Sequence, residues 1–274
     1  MNNILVPTDF SIASINATEY AVLLAQSFDA KVTLVNIVSP PVIIDDSILA
    51  SVLVTQAEIL ENNKKIMESE IEALSNKHSI KINGIVREGF ALDQIQEMAK
   101  VKHADLIVMG MKGKGKSKSV FGSTTTAIIR NTNYPVLVIP EKATYKPIDN
   151  ITFASDFDAE IKMNRYTILL EIAEKFNSQT RILNVQKKES PLTREKEIGK
   201  MKINIAFSKY NYQFYTINEK KVEEGINKFI EKNPTDILAM VAHSHTLFER
   251  MFGKGHTKAM SYQTKIPLLV LQGK

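Results

Sequence analysis

The segment Gly110-Met111-Lys112-Gly113-Lys114-Gly115-Lys116-Ser117-Lys118-Ser119-Val120-Phe121-Gly122-Ser123-Thr124 has the composition of an anion site. Glycine lets backbone amides approach a ligand closely. Gly122-Ser123-Thr124 reads as the opening of a helix, where free N–H groups and the helix dipole favour phosphate. Lys112, Lys114, Lys116 and Lys118 alternate through the same stretch and add positive charge. A solvated surface loop would show the same residues; what favours phosphate is their place, after an apolar strand-like run and before a helix. Gly110, Gly115, Lys116 and Ser117 also satisfy the pattern G-x4-G-K-S, in which Lys116 would meet phosphate and Ser117 magnesium. That frame requires a long helix from Lys116 and a magnesium-binding carboxylate on a later strand. Gly122 interrupts such a helix at once, and a single further strand, 135–140, follows before the pattern of the chain begins again. The frames separate by mutation: Gly113→Val is the more damaging change in the first, Lys116→Ala in the second.

The framework that must position this loop is written twice. Asn3-Ile4-Leu5-Val6-Pro7-Thr8-Asp9-Phe10 returns as Asn150-Ile151-Thr152-Phe153-Ala154-Ser155-Asp156-Phe157. Asp105-Leu106-Ile107-Val108-Met109 returns as Asp236-Ile237-Leu238-Ala239-Met240, and Pro135-Val136-Leu137-Val138 as Pro267-Leu268-Leu269-Val270. Solenoid repeats run roughly 20 to 50 residues, so a longer spacing means a duplicated domain. A chain of 274 residues holds two domains of ordinary size. The polar, proline-containing stretch 141–147 divides them, placing the domains at 1–143 and 147–274.

Short apolar runs alternate with segments of helical period, which predicts an α/β fold of parallel strands whose crossover helices cover both faces. In the first copy strands are predicted at 3–7, 31–37, 80–87, 105–110 and 135–140, and helices at 12–28, 51–77, 92–101 and 123–131. Ile15, Tyr20, Leu23, Leu24 and Phe28 give the first helix its apolar spacing; Val52, Ile59, Ile66, Ile71 and Leu74 give the second. The second copy has a shorter second helix after Pro191 and a strand near 213–217. Tyr210, Tyr212, Phe214 and Tyr215 read as strand packing, since no basic residue beyond Lys209 interleaves with them.

Composition excludes several classes. The chain has no cysteine, which rules out disulfides, thiolate metal sites and a cysteine nucleophile, and suits a reducing compartment. No apolar run approaches the ~18 residues of a membrane span, and the N-terminus lacks the basic flank and apolar core of a signal peptide. A soluble cytoplasmic protein without a membrane partner is expected. The net charge of +5 is spread along the chain, a lysine-rich surface rather than a nucleic-acid stripe.

With these motifs the chain resembles the universal stress proteins, in their tandem two-domain form, over essentially its whole length. Family members open with a strand ending in Pro-x-Asp, here Pro7-Thr8-Asp9. After the fourth strand they carry Gly-x2-Gly-x9-Gly-Ser/Thr, then a helix and a Pro-Val-x-Val strand, here Pro135-Val136-Leu137-Val138. Eight residues, not nine, separate Gly113 from Gly122. The resemblance implies two tandem five-stranded parallel-sheet domains of strand order 3-2-1-4-5 with helices on both faces. It implies pairing through their last strands into an intramolecular pseudo-dimer, whose outer surface could form a homodimer. It also implies a site for ATP with Mg2+. Asp9 would face the nucleoside beside Pro7 and Thr8, Ile37 would offer backbone contacts to the adenine, and Met109 would pack on the base. Gly110 and Gly113 would line the ribose and phosphates, and Gly122, Ser123 and Thr124 would cradle the phosphate chain. Read as a residue alone, Asp9 is equally a turn or N-cap residue, and the roles are compatible.

In the second copy Val241 replaces Gly110, Ser244 replaces Gly113 and Lys254 replaces Ser123, while Gly253 and Asp156 remain at the places of Gly122 and Asp9. That nucleotide site is expected to be degenerate, with 247–252 as an apolar lid. His243 and His245 would share a strand face near His256, but no acidic or cysteine partner stands at ligand spacing, and no metal site is expected. The expected function is a nucleotide-linked sensor in stress response, in which an adenine nucleotide biases a surface read by an unidentified signalling protein. The alternative is an enzyme, a slow ATPase or one that autophosphorylates at Ser123 or Thr124. The loop from Lys112 to Ser119 holds no carboxylate to act as general base, so no catalytic residue is assigned. A nucleotide-free interaction protein is a third reading, which leaves the glycines of the first copy without a use.

Overall fold

The computed structural model describes residues 1–41, 49–112, 121–186, 191–242 and 265–273, with the backbone alone for 49–54. Strands β1 (Asn3–Pro7), β2 (Lys31–Val38), β3 (Ile82–Glu88), β4 (Leu106–Gly110) and β5 (Val136–Ile139) alternate with helices α1 (Ile12–Phe28), α2 (Leu49–His78), α3 (Ala91–Val101) and α4 (Ser123–Asn131). β6 (Asn150–Ala154), β7 (Gln179–Gln186), β8 (Tyr212–Asn218), β9 (Ile237–Ala242) and β10 (Leu268–Gln272) follow, with α5 (Thr167–Phe176), α6 (Arg194–Phe207) and α7 (Val222–Lys232) between them.

The strands form one ten-stranded sheet ordered β3-β2-β1-β4-β5-β10-β9-β6-β7-β8, so each half has the order 3-2-1-4-5. The registers repeat as well: Asn3 faces Lys31 and Ile4 faces Leu106, as Asn150 faces Gln179 and Ile151 faces Ile237. Pairing is parallel within each half. At the seam β5 and β10 run antiparallel, with Val138 opposite Leu268, Leu137 opposite Leu269 and Val136 opposite Val270.

Strands covered on both faces must be apolar on both, and β4, β5 and β10 are buried at every residue. One face packs Ile4, Leu34, Leu137 and Leu269 against Leu24 of α1, Met67 of α2, Ile172 of α5 and Phe207 of α6. The other packs Leu5, Val35, Val136 and Val270 against Met98 of α3, Ile128 of α4 and Phe229 of α7. Each apolar layer therefore runs through both halves. Residues 143–147 do not hang free between them. The Asn16 amide donates to the carbonyls of Pro140 and Ala143 at 2.9 Å, and the Tyr145 ring meets Tyr20 edge-on. Lys146 pairs with Asp236 at 2.5 Å.

The turn after the first strand of each half is the same device. Phe10 and Phe157 sit in the left-handed region (φ 57° and 59°), unusual for an aromatic residue. Each has its amide held at 3.1 Å by the hydroxyl two residues earlier, Thr8 or Ser155. Asn36 and Asn184 then donate to the Thr8 and Ser155 carbonyls at 2.9 and 2.8 Å.

Two helical faces differ from expectation. On α1 Ile15 points outward, and the sheet receives Ala13, Ala17, Ala21 and Ala25 with Tyr20 and Leu24, small residues that let the helix lie close. On α2 Ile59 and Ile66 are exposed; Met67 and Leu74 are buried beside Gln56, and Val52 lies outside the described side chains. Polar residues take the inner face of α2 because each finds a partner there. Glu70 is the strained member: burial, opposed in part by the Thr18 hydroxyl, pushes its carboxyl above 4.5, and among the described residues its Oε1 is buried without a partner. A folded-state carboxyl that holds its proton more tightly than the unfolded one costs stability as pH rises through that range. Glu70→Gln is thus expected to stabilise the fold by about 1 kcal/mol at pH 7. The gain should fade below pH 4.5, and urea unfolding at several pH values measures it. The aromatic group packs as structure: Tyr212 meets Phe214 edge-on at 5.7 Å and Tyr215 meets Phe229 at 5.1 Å.

Candidate functional site

β1 and β4 are neighbours, but the chain leaves them for opposite faces: α1 belongs to one apolar layer and α4 to the other. The crevice that opens between such strands at their carboxyl ends is the usual ligand position of an open α/β sheet. A cavity of about 240 Å³ occupies it. Pro7, Thr8 and Asp9 form its β1 rim, Ile37 and Met109 stand on the β2 and β4 sides, and Gly110, Gly122, Ser123 and Thr124 complete it. Of the residues expected here, Gly113 lies outside those described, as do Lys116 and Ser117 of the alternative frame.

The cavity has two unlike ends. Val35, Ile37, Ala91, Ile95 and Met109 make an apolar slot. At the other end α4 begins at Gly122, whose place as N-cap brings no side-chain hydrogen bond to the helix. The threonine hydroxyls turn to carbonyls instead, Thr125 to Gly110 and Thr126 to Gly122, at 3.0 and 2.9 Å. First-turn amides left without a cap are the donors an anion uses. Gly122 is itself held by its amide to the Met111 carbonyl at 2.8 Å. Lys112 supplies a cation at the same end.

Asp9 is a turn residue. Its Oδ1 accepts from the Ser11 amide at 3.1 Å, and the N-cap of α1 is Ser11, in a capping box with Ser14. Asp9 also lines the cavity. Gly110 serves a purpose other than ligand approach. A Cβ there would lie 2.8 Å from the Ala13 carbonyl oxygen and 3.1 Å from the Ser14 amide, so glycine is what lets α1 start against β4. Sequence reasoning missed Ser14, Val35, Ser39, Ala91, Ile95 and Thr125 in the lining. Val35 was within reach, since it shares a strand face with Ile37.

Comparison with known proteins completes this picture. The pattern of the Universal stress protein family matches residues 1–140, and a universal stress protein of Methanocaldococcus jannaschii is 31% identical over 137 residues, 50% of this chain and 80% of that relative. The chain belongs to the universal stress protein family. A universal stress protein of Synechocystis is 38% identical over 77 residues, 28% of this chain and 48% of its own. The crystal structure of a universal stress protein from Archaeoglobus fulgidus superposes with a TM-score of 0.73 over 100% of this chain and 99% of that one, at 16% identity, a likeness of fold.

Within this universal stress protein the second half is built differently at the matching place. Val241 is tolerated where Gly110 stands because no helix starts at once after β6: a 3-10 turn (Met163–Tyr166) precedes α5. At the position of Ile37 stands Val185, and α7 comes down on it through Gly225, whose Cβ would lie 2.6 Å from Val185 Cγ1. Ser244, Gly253, Lys254, the three histidines and the 247–252 lid lie outside the described residues. Among the described residues no group of three potential ligands gathers for a metal, and no helix is long and apolar enough to cross a membrane.

Proposed function

We propose that the first half, 1–143, binds an adenine nucleotide, ATP with Mg2+, and that 147–274 is a partner half with a degenerate site. The observation that carries this is the uncapped start of α4 facing a cavity whose far end is an apolar slot, a shape suited to a phosphate chain with a flat heterocycle. Ile37 and Met109 would border the base, Asp9 the ribose, and Ser123 and Thr124 the phosphates. No carboxylate among the described lining residues stands at the phosphate end, so Mg2+ would come with the phosphates, with hydroxyls of Ser123 or Thr124 as its protein ligands. The chain then acts as a nucleotide-linked sensor in stress response, its occupancy changing a surface that a signalling protein reads.

Calorimetric titration of the nucleotide-stripped chain with magnesium-ATP tests this reading. One site per chain is expected. Two sites would mean that Val185 and Val241 do not disable the second half, and no binding, confirmed by equilibrium dialysis, would sink the nucleotide reading. Turnover or phosphate on Ser123 or Thr124, sought by mass spectrometry in the same sample, would shift the protein to the enzymes.

A further inference from the structure

The inner face of α2 carries three polar residues spaced by seven, Gln56, Asn63 and Glu70, and each reaches a lining residue of the cavity directly or through one intermediate, although no described side chain of α2 lines it. Gln56 donates to the carbonyl of Ser39, a lining residue, at 3.2 Å. Asn63 donates to Asn36 Oδ1 at 2.9 Å, and Asn36, buried, donates at 2.9 Å to the carbonyl of Thr8 on the cavity rim. Glu70 faces Thr18, whose hydroxyl donates at 2.9 Å to the carbonyl of Ser14; Ser14 lines the cavity and accepts from the Thr8 hydroxyl at 3.1 Å.

The second half serves as an internal control. Asn184 keeps the bond to the rim carbonyl, that of Ser155, but its Oδ1 is buried with no partner among the described residues. α6 presents Gly199, Ile203 and Phe207 to the core, with no amide at the place of Asn63. A requirement of the fold alone would appear in both halves. Among the described residues the extra donor appears in the first half, beside the cavity.

We infer that Asn63, with Gln56 beside it, is a positioning residue of the ligand site, holding the Thr8–Asp9 turn and the Ser39 rim through α2. The inference rests on the nucleotide reading for its ligand. By reciprocity, a ligand that tightens the turn must also tighten α2, whose exposed Ile59 and Ile66 flank Asn63 along the helix. α2 would be the part of the surface that reports occupancy.

Hydrogen exchange and calorimetry on the full chain test it. Asn63→Leu is expected to weaken magnesium-ATP binding roughly tenfold, as when a group that orients ligand contacts is removed. It should cause no further loss when Asn36 is already alanine, a non-additivity that general destabilisation would not produce. In the wild type, ATP should slow exchange across residues 56–70. Affinity within about twofold of wild type for Asn63→Leu, or unchanged exchange in α2 on binding, would overturn the inference. If the wild type binds no ATP, the nucleotide reading fails by itself. The ligand-free comparison still decides for Asn63, because the Phe10 and Ser11 amides must exchange faster in Asn63→Leu if it positions the turn and unchanged rates reject it. Gln56→Met, read at the amides following Ser39, repeats the test should Asn63→Leu not fold.

Discussion

Gly110→Val is expected to abolish nucleotide binding and to destabilise the protein. The added Cβ would sit 2.8 Å from the Ala13 carbonyl oxygen and 2.9 Å from its carbon, atoms of backbone that cannot rotate away. Relief requires the first turn of α1 to retreat from β4. Overpacking of this kind costs about 1–3 kcal/mol where side chains can yield, so a backbone clash belongs at or above the top of that range. The retreat moves the capping box of Ser11 and Ser14 and with it the Asp9 turn, which the Ser11 amide holds. Binding should be lost even where the variant remains folded at low temperature, and Gly110→Ala should give a weaker form of the same effect. Urea unfolding and magnesium-ATP titration of the two variants measure both consequences. A valine variant with wild-type midpoint and affinity would show that the start of α1 does not depend on glycine at position 110.

Leu137→Ala and Leu269→Ala are each expected to cost about 2–5 kcal/mol, the range for truncating a fully buried leucine. The two residues are partners across the seam, both are 0% exposed, and both face the layer that contains Leu24 and Phe207. Side chains in contact share one cavity when both are removed, so the double variant should fall short of the sum of the singles. Because the apolar layers run through the seam, unfolding should remain one transition. Hydrogen exchange should report the loss equally in β1 and β6. Faster exchange confined to one half would show that the halves unfold as separate units.

The sequence reached the element boundaries of α1 and α4 because their start signals are local. Gly122 before Ser123 marks a helix start by backbone chemistry within a few residues, and the apolar spacing from Ile12 to Phe28 sets the bounds of α1, which the capping box of Ser11 and Ser14 then closes. The alternation of elements predicted parallel strands, the strand order followed from the family resemblance, and Thr8 to Asp9 with Gly122 to Thr124 could be named because turns after parallel strands are where such folds bind. Helix faces were harder. Ile15, Ile59 and Ile66 fit a helical period as well as the buried Tyr20 and Leu74 do, and periodicity does not say which of two apolar stripes meets the sheet. On α2 the deciding groups were polar, Gln56, Asn63 and Glu70, whose inward orientation depends on partners supplied by Ser39, Asn36 and Thr18.

Gly110 marks the boundary between the two kinds of knowledge. Its type, its place after a strand and the change to Val241 in the second copy were legible in the residues, because a missing side chain is itself a local fact. Its purpose was not. The atoms that exclude a side chain there belong to Ala13 and Ser14, far away in the chain, and only packing brings them within 3.1 Å. The same holds for Gly225 against Val185. The sequence alone determined the duplication and the α/β class, since these rest on patterns within one element and its neighbours. The tertiary structure decided which side chains face inward, which glycines serve packing, and how α2 reaches the cavity, since distances between elements exist only after the chain has folded.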